Sequence, residues 1–145
     1  MMLCPICLAD VTADSSVVDR HLNSLTDVCP MSGREPFTWD ERSTRAAVPN
    51  RSGGRCEMCG QRATNMHHRK NRSQGGRWSP ANILHLCGSG VVGCHGYFTS
   101  HPSVAYLMGV SVRRGDEPAD IAVQTPAGLL WLSDDIAPPL PGWAR

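Results

Sequence analysis

The chain has 145 residues, of which 41% are hydrophobic, but it holds only two Phe, two Tyr and four Trp beside 14 glycines and 11 prolines. That is enough for one modest domain or two very small ones, made of short elements and many turns, and a core this lean calls for covalent or metal staples. A net charge of +1 excludes a uniformly basic or acidic protein, and no stretch approaches the length of a membrane span.

The charge is unevenly spread. Residues 51–101 hold seven basic side chains (Arg51, Arg55, Arg62, Arg69, Lys70, Arg72, Arg77) against Glu57, a local balance of +6, whereas residues 1–50 come to −3 and residues 102–145 to −2. A basic middle between acidic flanks suits a polyanion at that one segment; its plainer reading is a solvated basic surface. The opening residues, MMLCPICLADV, lack a basic start followed by an apolar run, so no signal peptide is expected. The expected setting is then a reducing cytoplasm. There, paired cysteines hold metal more often than they form disulfides, and the odd count of seven points the same way.

In chain order, residues 1–32 read as a zinc finger. Val17, Val18, Leu22, Leu25 and Val28 recur at three- and four-residue steps, which predicts a short helix capped by Asp14 or Ser15. Cys4 and Cys7 in CPIC, His21 on that helix and Cys29 complete a Cys₃His set, a second structural zinc site. The pattern resembles small zinc fingers of the ubiquitin-binding or DNA-repair sort. Seven residues separate His21 from Cys29, more than that family uses, so ubiquitin binding does not carry over. Residues 33–54 have no sustained period and are rich in polar residues, Gly and Pro, which predicts a linker. Residues 55–110 are expected to form a hairpin followed by helix. Residues 111–145 are expected to give a C-terminal β-hairpin, with DIAVQT and LLWLSDD flanking a Pro-Ala-Gly turn, then an extended tail.

Residues 55–110 carry the densest chemistry. Cys56 and Cys59 in CEMCG, with Cys87 and Cys94 in LCGSGVVGC, supply four thiolates for a closed structural zinc site. Gly60 follows the first pair and glycines frame the second loop, as tight knuckles require. Between and beside these cysteines stand His67-His68, Asn82 and His95.

The run CEMCG…MHHRKNRSQGGRWSPANILHLCGSGVVGCHG resembles the HNH endonucleases, nucleases with a ββα-metal fold, and most closely the zinc-ribbon-bearing members common in phages and bacteria. The resemblance covers roughly residues 51–101 and departs in the six-residue gap between Cys87 and Cys94 and in the extra N-terminal finger. It implies a small, metal-stapled α+β fold with an HNH core and a DNA substrate. His67 and His95 would hold a catalytic divalent cation, Mg²⁺ or Mn²⁺, with Ni²⁺ or Zn²⁺ also admitted by imidazole. His68 would be the general base and Asn82 would help orient it. Adjacent strand residues point to opposite faces, so two neighbouring histidines cannot share one task from a regular strand. Arg69, Lys70, Arg72 and Arg77 would contact phosphates on either side of the cut. Phage DNA processing or packaging, with a terminase as a possible protein partner, follows from family analogy alone.

Three further residues have plainer readings. His101 in TSHP is a candidate third ligand, or a helix-end packing residue before Pro102. His85, between apolar residues, is expected to be a hydrogen-bonded structural histidine. Trp78 stacks on a base or sugar, or packs under its loop. A zinc deaminase would need a Glu two residues after its His and a Pro-Cys-x-x-Cys; Arg69 and Lys70 stand in those places here. The remaining rival is a non-catalytic double zinc-binding module that recruits DNA or protein.

Overall fold

The computed structural model describes residues 38–136, together with the backbone of four two-residue strands earlier in the chain. The chain divides into two units, residues 1–39 with 135–145 and residues 40–134. In the first, β1 (Met2–Leu3) pairs antiparallel with β2 (Asp10–Val11), and β3 (Ala13–Asp14) with β4 (Val17–Val18). The valines expected to open a helix therefore form a strand, with Val17 opposite Asp14. Valine's branched Cβ costs it rotamer freedom in a helix and suits a strand. Cys4, Cys7, His21 and Cys29, the expected second zinc set, lie outside the described residues.

The second unit begins with a helix. Residues Glu41–Ser52 form helix α1, where a linker was expected over 33–54. Asp40 caps it: its carboxylate accepts from the Ser43 backbone, and the Ser43 hydroxyl accepts from the Asp40 backbone. Thr44, Ala47 and Val48 form the buried face, and Gly53 ends the helix in the left-handed conformation. Arg51, in the last turn, reaches out of the helix to pair with Glu57 and to donate to the carbonyls of Pro80 and Ile83. These contacts join α1 to the rest of the unit.

The hairpin of β5 (Asn65–His68) and β6 (Ile83–Leu86) follows, with Met66 opposite His85 and His67 opposite Leu84. Every residue of β6 is buried. Leu84 and Leu86 enter a core with Met58, Phe98, Val110 and Val123. After the strands come α2 (Gly93–Ser100), α3 (Pro102–Leu107) and a second hairpin, β7 (Val123–Thr125) with β8 (Gly128–Leu130), turning at Pro126-Ala127. The architecture is a small α+β fold whose described strands pair two by two.

Residues 111–134 are part of this unit rather than a separate C-terminal segment. Arg69 explains why. Its side chain is 1% exposed, and its guanidinium donates to the carbonyls of Gly109, Ala81, Pro118 and Ile121. One cation thereby ties the end of β5 to three distant stretches of chain. Among the described residues no helix is long and apolar enough to cross a membrane.

Candidate functional site

The four cysteines of the second unit converge. The sulfurs of Cys56, Cys59, Cys87 and Cys94 all lie within 4.8 Å of one another, and Cys59 and Cys87 are 3.5 Å apart. A metal–sulfur bond of about 2.3 Å places tetrahedral sulfurs roughly 3.8 Å apart, so the set has the dimensions of a metal site. Local folding explains the convergence. An isolated bridge between Arg55 and Arg62 closes the first knuckle, inside which Gly60 donates to the Cys56 carbonyl. The long gap between Cys87 and Cys94 is taken up by a turn in which Ser89 donates to Val92. Gly88, at φ +88°, lies so close to the Val92 carbonyl that any side chain would collide with it.

The thiols differ in character. Burial pushes the Cys56 thiol up, but the backbone amides of Cys59, Cys87 and Met58 outweigh it and bring the group to about 7. Cys94 is driven strongly upward by burial and by the neighbouring sulfurs of Cys59, Cys87 and Cys56. Four sulfurs this close resist sharing negative charge unless a cation lies among them.

His67 and His68 occupy opposite faces of β5. On one face the His67 ring meets the His95 ring edge to face, with centroids 5.4 Å apart. His67 Nε2 lies 3.1 Å from the Val110 carbonyl, and His95 Nδ1 lies 2.8 Å from the Ser89 carbonyl. A carbonyl oxygen only accepts, so each bonded nitrogen carries the hydrogen. In the neutral rings the lone pairs then lie on His67 Nδ1 and His95 Nε2, the form in which imidazoles bind metals. Burial holds His67 far below its ordinary value, at about 4, and the Val110 carbonyl offsets this only in part. The ring is neutral at neutral pH. His95 follows Cys94 directly at the start of α2, and its backbone nitrogen donates to the Cys87 carbonyl. The cysteine set and the histidine pair thus share one piece of backbone.

On the other face, His68 packs edge to face against Trp78 with centroids 4.5 Å apart. Burial and then Arg72 lower its proton affinity. Asn82 does not bond to this ring. Its side chain accepts from the Lys70 nitrogen and donates to the carbonyls of Lys70 and Arg77, pinning both ends of the loop between β5 and β6. Its backbone carbonyl accepts from the Arg69 nitrogen, so Asn82 reaches His68 only through neighbouring backbone.

The basic run separates into two groups. Arg72 and Arg77 are exposed, and Lys70 is half-buried with its amine donating to the Asp116 carbonyl. Arg69, expected among the phosphate contacts, is instead enclosed by protein carbonyls and unavailable to a phosphate. Its burial lowers its pKa to about 10, which still leaves it charged at neutral pH.

His101 stacks on Tyr97 at 4.3 Å, and its Nδ1 lies 2.8 Å from the Tyr97 carbonyl. Among the described residues it does not group with His67 and His95 as a three-ligand set. His85 is structural: it is buried, with Nδ1 2.7 Å from the Ser52 hydroxyl. Sequence reasoning missed the part played by α1, whose Arg45 lies over the Trp78 ring at 4.6 Å and pairs with Glu41 at 2.9 Å. The Glu41–Arg45 spacing and the Asp40–Ser43 cap were the signals for that helix. No family model, curated protein or solved structure matches the chain.

Proposed function

We propose that residues 40–134 form a metal-dependent DNA endonuclease of HNH type that hydrolyses phosphodiester bonds. The observation that carries this reading is the division across β5: His67 with His95 on one face, each with one nitrogen lone pair, and His68 on the other. β5, β6 and α2 would supply the ββα-metal core.

His67 and His95 would hold the catalytic divalent cation, Mg²⁺ or Mn²⁺ by preference. When bound, the cation supplies positive charge next to the phosphate oxygens that become more negative during cleavage. His68 accepts the proton of a water whose oxygen bonds to phosphorus as the bond from phosphorus to the 3′ oxygen breaks. Arg72, Arg77 and Lys70 contact backbone phosphates without reading sequence. Asn82 keeps the intervening loop closed against the end of β5. The Cys56, Cys59, Cys87 and Cys94 set binds a structural zinc that fixes the start of α2 and hence His95. The expected Cys₃His finger would hold a second zinc. A cytoplasmic place in phage DNA processing, with a terminase as partner, rests on the resemblance of the motif alone.

The test is cleavage of supercoiled plasmid with Mg²⁺ or Mn²⁺. Wild-type protein nicks or cuts, and His68→Ala binds DNA but does not cleave. Equal cleavage by the two proteins removes His68 as the base. DNA binding without cleavage under any divalent cation marks a recruitment module instead.

A further inference from the structure

His68 has no conventional partner for its second nitrogen. In general bases of this type, one ring nitrogen takes the proton while the other is held by a carboxylate or carbonyl. Here Nε2 is sealed from solvent with no hydrogen-bond partner, and the indole Nε1 of Trp78 is sealed in the same way. Asn82, the residue expected to hold this ring, spends its amide on the backbone of Lys70 and Arg77.

The group that does touch the ring is Trp78. The two planes meet at 79° with centroids 4.5 Å apart, so the edge of one ring meets the face of the other. Arg45 covers the Trp78 ring at 4.6 Å and is itself held by Glu41 at 2.9 Å. An indole face is electron-rich and attracts both guanidinium groups and N–H edges. A sealed N–H with no acceptor is costly, and an aromatic face is the acceptor within reach.

We propose that Trp78 is the positioning residue of His68: its indole face receives Nε2–H and thereby turns the Nδ1 lone pair toward water. Arg45 on the same indole fixes Trp78 in turn, which makes the first turns of α1 part of the site's construction. This inference rests on reading His68 as the base, but its test does not depend on DNA cleavage.

The test is ¹⁵N-edited NMR of the full chain at a pH where His68 is neutral. The wild type should show an imidazole proton on His68 Nε2 that exchanges slowly and is moved upfield by the Trp78 ring current. Trp78→Phe should keep that signal, and Trp78→Leu should lose it. In cleavage assays Trp78→Leu should lower kcat by about tenfold to a hundredfold with little change in KM, and Trp78→Phe should restore most of the rate. The proposal fails if the wild-type proton sits on Nδ1, or if the upfield proton belongs to the indole Nε1 instead. It also fails if the Nε2 signal is unchanged in Trp78→Leu. The wild-type spectrum decides even where Trp78→Leu does not fold. If the NMR signature holds while His68→Ala cleaves normally, the geometry stands and the role of His68 as base falls.

Discussion

Arg51 and Glu57 meet through two contacts of 2.7 Å, the guanidinium and the carboxylate lying in one bidentate pair that is mostly shielded from water. Glu57 also accepts from the His85 backbone, and Arg51 also donates to Pro80 and Ile83. The pair therefore fastens α1, the first cysteine knuckle and β6 at one point. Removing one partner strands the other among carbonyls or amides. Glu57→Gln is expected to destabilise the unit by about 3 kcal/mol, read as a lower urea midpoint. A midpoint within error of wild type would show that the pair is as weak as an exposed one.

The four-cysteine set predicts a metal dependence of folding. Cys56→Ala or strong chelation should abolish the cooperative melt of residues 40–134, because sulfurs this close repel unless a cation lies among them. Cobalt substitution should give the absorption of a tetrahedral thiolate site. Two zinc ions per chain are expected in all. A measured value of one would remove the Cys4, Cys7, His21 and Cys29 site, and a value of zero would remove both.

The arginines should separate by experiment as they do by burial. Arg69→Ala leaves the carbonyls of Gly109, Ala81, Pro118 and Ile121 without their donor. Its expected cost is at least about 3 kcal/mol of stability. Arg72→Ala and Arg77→Ala, at exposed positions, should leave the melt unchanged. Each should weaken DNA binding and reduce the salt slope by about one unit. Should Arg69→Ala fold normally and lose only DNA affinity, its assignment as a structural staple would be wrong.

Asp40 carries a pH prediction for α1. Hydrogen bonds from the Ser43 side chain and backbone hold its carboxyl below the ordinary carboxylate value. A depressed acid contributes stability when ionised, so the cap is fully present above its unfolded pKa, near 3.8, and is lost as pH falls through the lower folded value. Asp40→Ala should cost about 1 kcal/mol at pH 6. That difference from wild type should shrink on acidification below pH 4, in paired thermal melts. A difference that stays constant into strong acid would show that the carboxylate charge is not what caps the helix.

Cleavage should persist into mild acid. Burial and Arg72 both disfavour protonated His68. The acid limb of the rate profile is therefore expected below the ordinary histidine value of about 6.5. Arg72→Ala removes a positive neighbour and should move that limb to higher pH. Movement in the opposite direction would contradict the proposed electrostatics.

The convergence of Cys56, Cys59, Cys87 and Cys94 was legible because two cysteine pairs with glycines beside them mark knuckle turns in the sequence. The C-terminal hairpin was legible because two short runs, DIAVQT and LLWLSDD, flank a Pro-Ala-Gly turn. Helix α1 was not, since Thr44, Ala47 and Val48 make a thin apolar stripe and Pro49 suggests a break. Its stability comes from the Asp40 cap and from the distant partners of Arg51. The burial of Arg69 was hidden for a related reason. Arg69, Lys70, Arg72 and Arg77 look alike in a basic run, and only the path of residues 109–121 decides which of them is enclosed.

The pairing of His67 with Leu84 has one more consequence. Two adjacent residues of the same kind carry no chemical label saying which one meets His95 and which one meets Trp78. The label is a matter of counting along the hairpin. Shortening the loop between β5 and β6 by one residue, with β6 held in place, would slide β5 by one position and exchange the two faces. His67 would then stand where His68 now meets Trp78, and Met66 would stand opposite Leu84 in front of His95, in a protein whose composition had barely changed. Asn82, by gripping both ends of that loop, guards a number rather than a shape.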